Sequence, residues 1–227
     1  SRVDWATYFG GNDRGFIRDI DVDAGGQVYL ALTAVSKPVP HITAGAFQSS
    51  LSGGEDGVIA KLAAGGGRVL WATYLGAADN NPSNFDVATP TIQIDGSGNA
   101  YVLGATNSNQ MPTSGSAFDR SLGGNLDLHL AKFSSDGKFV FGVYLGGSGG
   151  EFIETHGLAV DNQGNPIVVG STTSNDFPTT GGVLQPAYGG AGGSNTGKGT
   201  NYPGDAFVSK ISADGSRLIA SSYLGGS

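Results

Sequence analysis

Short runs of alternating apolar and polar residues fill this chain, and they end on the same punctuation in the same order. One kind of run ends in Asp and a glycine turn: Ile20-Asp-Val-Asp23-Ala-Gly-Gly26, Ile92-Gln-Ile-Asp95-Gly-Ser-Gly98 and Leu158-Ala-Val-Asp161-Asn-Gln-Gly164. Period-two alternation followed by Asp-x-x-Gly predicts a strand entering a tight hairpin. The return strand follows at once, as Val28-Tyr-Leu-Ala-Leu32, Ala100-Tyr-Val-Leu-Gly104 and Pro166-Ile-Val-Val-Gly170, rich in residues that suit a pleated, half-buried surface. A polar loop comes next, with Pro40, Pro112 and Pro178 as its fixed points. A third run then carries Asp and Lys at a constant separation, as Asp56/Lys61, Asp127/Lys132 and Asp205/Lys210. A glycine turn joins it to a fourth run that closes on Tyr-Leu-Gly-Gly or a near variant.

That closing motif occurs four times, around Tyr8, Tyr74, Tyr144 and Tyr223, with a period of about 70 residues. Four strands joined largely by hairpins make a small antiparallel sheet, and a sheet with two apolar faces cannot stand alone, so copies must stack. Radial stacking of four-stranded sheets is the β-propeller. The expected fold is therefore all-β: a propeller segment of three full four-stranded blades plus one leading strand, forming a single unit over residues 1–227. The repeat units run approximately over residues 10–76, 77–146 and 147–226, with residues 3–9 as the last strand of a preceding blade. Three blades are too few to close a ring, which predicts either a longer chain or association with other chains to complete it.

Composition narrows the partners. The 40 glycines lack a G-X-Y period, and 11 Phe with 8 Tyr are too many for a disordered chain. The net charge is −7 and no Lys/Arg cluster exists, which argues against nucleic-acid binding. With no cysteine, disulfides, thiolate metal sites and cysteine nucleophiles are excluded together. No apolar run approaches the ~20 residues of a membrane span.

The succession Tyr-Leu-Gly-Gly, Ala-Val-Asp-x-x-Gly-Asn, Phe-Pro-Thr-Thr and Asp-Ala-Phe-Val-x-Lys resembles the bacterial SBBP repeat, a seven-bladed β-propeller repeat. The third unit matches it best, through Leu158-Ala-Val-Asp161, Gly164-Asn165, Phe177-Pro-Thr-Thr180 and Asp205-Ala-Phe-Val-Ser-Lys210. The first departs most, with Lys37-Pro-Val-Pro40. The resemblance covers nearly the whole chain. It implies a propeller carried by a large secreted or surface-associated protein, with an extracellular, cell-surface or periplasmic location, and it says little about activity.

Candidate chemistry is sparse. Asp19, Asp21 and Asp23 alternate along one strand and so share a face; three carboxylates this close suggest a Ca²⁺ site, against the simpler reading of a strand-start residue and a turn residue with only Asp21 unexplained. The turns at Asp95 and Asp161 resemble the start of a calcium loop but lack its further carboxylates, and Asp accepting backbone N–H groups explains them. Gly192-Gly-Ser-Asn-Thr-Gly197-Lys198 spells the frame of a phosphate-binding loop, yet Gly199 follows where Ser or Thr is needed and no helix is expected. His41, His129 and His156 fall at different repeat positions, which favours ordinary structural roles. Glu151 and Glu154 are a nominal carboxylate pair. The recurrent Asp and Lys of the third strand lie on opposite faces, so each is expected to bond to backbone or to a neighbouring blade. The recurrent tyrosine is expected to seat its ring between blades.

No catalytic residues and no cofactor are expected. The favoured reading is a non-enzymatic scaffold or binding module of an exported bacterial protein, recognising protein or glycan through the variable loops at residues 37–45, 79–88, 107–116 and 189–204. Two readings stand beside it: an accessory structural subunit of a larger cell-envelope complex or filament, and a hydrolase or lyase acting on polysaccharide at the ring's mouth.

Overall fold

A computed structural model describes residues 2–10, 16–35, 38–78, 86–153, 156–190 and 204–225. It is all-β, with three antiparallel sheets in sequential order. Blade one comprises β1 (Phe16–Val22), β2 (Val28–Val35), β3 (Glu55–Leu62) and β4 (Val69–Leu75); blade two comprises β5 (Ala88–Ile94), β6 (Ala100–Thr106), β7 (Asp127–Phe133) and β8 (Phe139–Leu145). In blade three the first strand is split into β9 (Glu151–Phe152) and β10 (Leu158–Val160), both paired with β11 (Pro166–Thr172), which is followed by β12 (Asp205–Ile211) and β13 (Leu218–Leu224). His156, in the interruption, has a left-handed backbone with φ 74°, a conformation that non-glycine residues seldom adopt.

The predicted hairpins form as expected. Asp23 accepts hydrogen bonds from the amides of Gly25 and Gln27, Asp95 from Ser97 and Asn99, and Asp161 from Gln163 and Asn165. Gly26, Gly98 and Gly164 close these turns at φ 74°, 76° and 78°, where any Cβ would be strained.

The blades stack through their faces. The first strands lie together, β1 on β5 and β5 on β10, so the sheets fan out from a common line. Between blades one and two, Tyr29, Ile59 and Trp71 pack on Ile92, Val102 and Phe133. Between blades two and three, Tyr101, Leu130 and Phe141 pack on Leu158, Val168 and Ile211. Each junction also carries two ring seats. Trp71 lies against Gly137 and Phe141 against Gly215, the turn glycines of the next blade, where a Cβ would overlap the ring. Tyr29 and Tyr101 donate hydroxyl bonds of 2.9 and 2.8 Å to the carbonyls of Gly98 and Gly164, again in the next blade.

The closing motif is tied into its own blade. The Tyr74 hydroxyl accepts from the Val39 amide at 2.6 Å, the Tyr144 hydroxyl accepts from Met111 at 2.9 Å and donates to the Ser108 carbonyl, and the Tyr223 hydroxyl donates to the Ser174 carbonyl. These partners belong to the loop that carries each fixed proline, so the hydroxyl is held within the blade while the ring is buried. The glycine two residues on (Gly76, Gly146, Gly225) lies against the carboxyl of Asp56, Asp127 or Asp205, leaving no room for a side chain. That accounts for both halves of Tyr-Leu-Gly.

The recurrent Lys has a partner in its own blade: Lys61, Lys132 and Lys210 pair with the hairpin carboxylates Asp23, Asp95 and Asp161 at 3.9, 3.9 and 2.7 Å. Lys61 and Lys132 also reach the carbonyls of Ser135 and Ala213 in the next blade and stand over the rings of Tyr29 and Tyr101. Residues 2–10 differ from the expected strand, since no described strand lies beside them to pair with. Trp5 nonetheless sits on Gly66 as Trp71 sits on Gly137, and Phe9 packs with Ile42 on the outer face of blade one.

Candidate functional site at the blade junctions

The three carboxylates grouped by the sequence take different partners in the fold. Asp19, buried, accepts from the Thr91 hydroxyl and, at 3.0 Å, from the Ile92 amide; its other oxygen accepts from the Ile20 amide and lies 3.5 Å from Nδ1 of His156. Asp21 accepts from the amides of Val22 and Ile94 at 2.7 and 2.9 Å. β5 is the first strand of its sheet, so the Ile92 and Ile94 amides face away from β6, and these two side chains satisfy that open edge. Asp23 is the turn residue paired with Lys61. Among the described residues no three His, Asp or Glu side chains are grouped so as to hold a metal ion.

Asp19, Thr91 and His156 bring all three blades to one point on the common line. A buried carboxylate behind an imidazole fixes its tautomer, and His156 is largely exposed. Thr91, however, is fully buried and donates to Asp19, so its hydroxyl is not placed to attack a substrate. The other histidines are elsewhere. His129 is buried and donates Nε2–H to the Pro112 carbonyl at 2.9 Å, and burial lowers its pKa to about 4, keeping it neutral. His41 lies against the Phe9 ring.

A second group of acids was hidden from sequence reasoning. Glu151 accepts from the Thr172 and Ser174 hydroxyls at 2.6 and 2.5 Å and from the Gly147 amide. Its neighbour is Asp127 of blade two, which accepts from the Gly123 and Gly124 amides, and both carboxyls converge on Gly146. Asp56 and Asp86 form the same arrangement one junction earlier: Asp56 accepts from the Ser52 amide and Asp86 from Ala77, each at 2.8 Å. Burial pushes Asp56 and Asp127 up to about 7, with the neighbouring acid adding to the shift, and burial also raises Glu151. Each pair sets a carboxyl of one blade beside a carboxyl of the next, an arrangement that favours the protonated form. The Asp of the third strand was visible as a recurrent residue; its acidic partner, Asp86 or Glu151, was not, because residue type and spacing differ between units. Glu154 and the frame at residues 192–198 lie outside the described residues.

Away from the junctions, the loops between second and third strands of blades one and two reach over the following blade. Phe47 stacks on Phe139 with centroids 4.5 Å apart, and the Phe118 amide donates to the Gly215 carbonyl at 3.1 Å. Between the first two of these loops lies a cleft of about 310 Å³ lined by Phe47, Gln48, Ser52, Ala77, Gln110 and Pro112. A shallow apolar groove of about 430 Å³ beside the split first strand of blade three is lined by Phe152, Ile153, Val169, Phe207 and Leu224, with His156 at its margin. No protein-family model matches this chain, and no curated protein matches it. Among the described residues no helix is long and apolar enough to cross a membrane.

Proposed function

We propose that the chain is a non-enzymatic β-propeller segment that recognises a protein or a glycan through its inter-strand loops, within an exported bacterial protein that is extracellular, surface-bound or periplasmic. The observation that carries this reading is how the buried polar groups are used. Asp19, Asp56, Asp127 and Glu151 accept hydrogen bonds from backbone or hydroxyl donors that join strand to loop or blade to blade. The loops are what differs from unit to unit, and the cleft between the first two offers aromatic and amide groups suited to an extended ligand. The likeness to SBBP repeats supports export and a surface role.

Binding of the 227-residue protein to arrayed glycans and to cell-envelope proteins tests this, alongside a variant in which residues 107–116 are exchanged for residues 173–182. Binding lost on exchange, with an unchanged melting temperature, is the expected result. Cleavage of a polysaccharide that survives the exchange refutes it. A second reading, a subunit docked in a larger envelope assembly, is favoured by the apolar side chains exposed at both ends, Ile20 and Val22 on blade one and Val169 and Leu224 on blade three.

A further inference from the structure

Two copies of the closing motif show a seat with two sides, and the third shows one. One side, present at Trp71 and Phe141, faces the next blade, where the aromatic ring covers a turn glycine. The other lies within the motif's own blade: the backbone pairs with the third strand, the tyrosine hydroxyl meets the proline loop, and the glycine meets a buried carboxyl. Residues 2–10 complete only the first side. Trp5 covers Gly66, but Tyr8 is 100% exposed where Tyr74, Tyr144 and Tyr223 are buried. A Cβ on Gly10 would meet nothing within 4 Å, whereas one on Gly76, Gly146 or Gly225 would meet an Asp carboxyl. Alongside, Ile20 is exposed where its counterparts Ile92 and Leu158 are buried against a preceding blade.

We propose that this end of the molecule binds a three-stranded antiparallel sheet that lacks its own fourth strand, with residues 3–9 supplying it. The chemistry of that partner follows from the own-blade side of the three later copies. Its third strand presents a free edge and begins with an Asp that meets Gly10. Its loop ahead of a proline presents an amide or carbonyl to the Tyr8 hydroxyl. An apolar face covers Ile20 and Val22. A finished four-stranded blade does not fit, because its last strand needs the place that residues 3–9 hold. This excludes docking of a second copy through blade three, where β13 is already paired with β12. The outer face of blade three agrees: Ile167 stands where Tyr29 and Tyr101 reach across, and Ala220 stands where Trp71 and Phe141 do. The proposal is independent of what the loops bind.

Grafting a second copy of residues 11–66, the unit that carries Tyr29, ahead of Ser1 supplies such a sheet in register, since Ser1-Arg2-Val3 then follows the turn as Gly67-Arg68-Val69 does. Hydrogen exchange read by mass spectrometry should show residues 5–9 exchanging about 100-fold or more slower than in the ungrafted protein, in a monomer. Tyr8→Ala in the grafted chain should return most of that protection. Residues 5–9 exchanging at the ungrafted rate overturn the proposal, whether or not the grafted strands are protected. Protection that appears only in an oligomer overturns it too. Self-association of the ungrafted chain that is abolished by Tyr8→Ala would show a second copy to be the occupant and would also overturn it.

Discussion

The four copies of the closing motif permit a substitution to be measured with and without its surroundings in one molecule. Tyr144→Phe removes a single oxygen from a fully buried ring and with it two hydrogen bonds, from the Met111 amide at 2.9 Å and to the Ser108 carbonyl at 2.8 Å. A net bond is worth about 1 kcal/mol, and a buried amide left without an acceptor raises the cost, so a loss of about 2–3 kcal/mol is expected. Tyr144→Ala adds a cavity beside His129, whose ring centroid lies 5.4 Å away, for a loss of about 3–5 kcal/mol. At this chain length about 1 kcal/mol moves the melting temperature by roughly 2–4 °C, so Tyr144→Phe should lower it by roughly 4–12 °C. Tyr8→Phe, at a fully exposed side chain, should change stability by less than about 0.5 kcal/mol. Thermal and urea unfolding of the two variants decide the matter. Equal effects at the two positions would show that the hydroxyl seat contributes nothing.

Other expectations follow from the junctions. Because burial holds Asp56 and Asp127 up at about 7, the folded chain keeps protons that the unfolded chain releases above about pH 4. Their contribution is complete below that value and is lost as pH rises through about 7. The melting temperature should fall between about pH 5 and pH 8, and Asp56→Asn with Asp127→Asn should flatten the fall; a rise over that window counts against the raised carboxyls. The depressed carboxyls of Asp95 and Asp161 act in the opposite sense and only at lower pH, where their contribution is lost as they protonate. Gly146→Ala forces a methyl group onto the Asp127 and Glu151 carboxyls and should cost about 1–3 kcal/mol or more, whereas Gly115→Ala, with open space around it, should be neutral; equal unfolding midpoints would refute the packing account. Asp19→Ala leaves the Ile92 amide and Thr91 hydroxyl without their acceptor and should lower stability by about 2–4 kcal/mol, with faster amide exchange at Ile92 as the local sign; an unchanged exchange rate there refutes the edge-capping role.

What the sequence disclosed was what every unit repeats. The hairpin carboxylates, the fourfold strand pattern and the Asp and Lys of the third strand are local features spaced along each unit, so periodicity exposed them. Contacts between units were hidden. Nothing in the chain links Asp19 to Thr91 and His156: the first two fill one repeat position with different residue types, the third stands one position earlier in its unit, and they meet only once the first strands converge. Glu151 meets Asp127, which lies 24 residues away in the chain and so is invisible to spacing. The split first strand of blade three was also unreadable, because residues 151–160 carry no proline and the left-handed backbone of His156 within the interruption has no sequence signature.

The ring seats bear on how such chains can change over time. Each is shared between consecutive units: Trp71 belongs to one and Gly137 to the next, Phe141 to one and Gly215 to the next. Unequal recombination within the gene that adds or deletes a whole unit in frame brings a ring and its glycine together again, so copy number can vary without a new interface being invented. A point change does not share that freedom, because a substitution at one glycine must be answered by a smaller ring in the unit before it. Drift is therefore tied between neighbours while gain and loss are not, and homologous chains should differ in the number of their blades more readily than in the residues that join them.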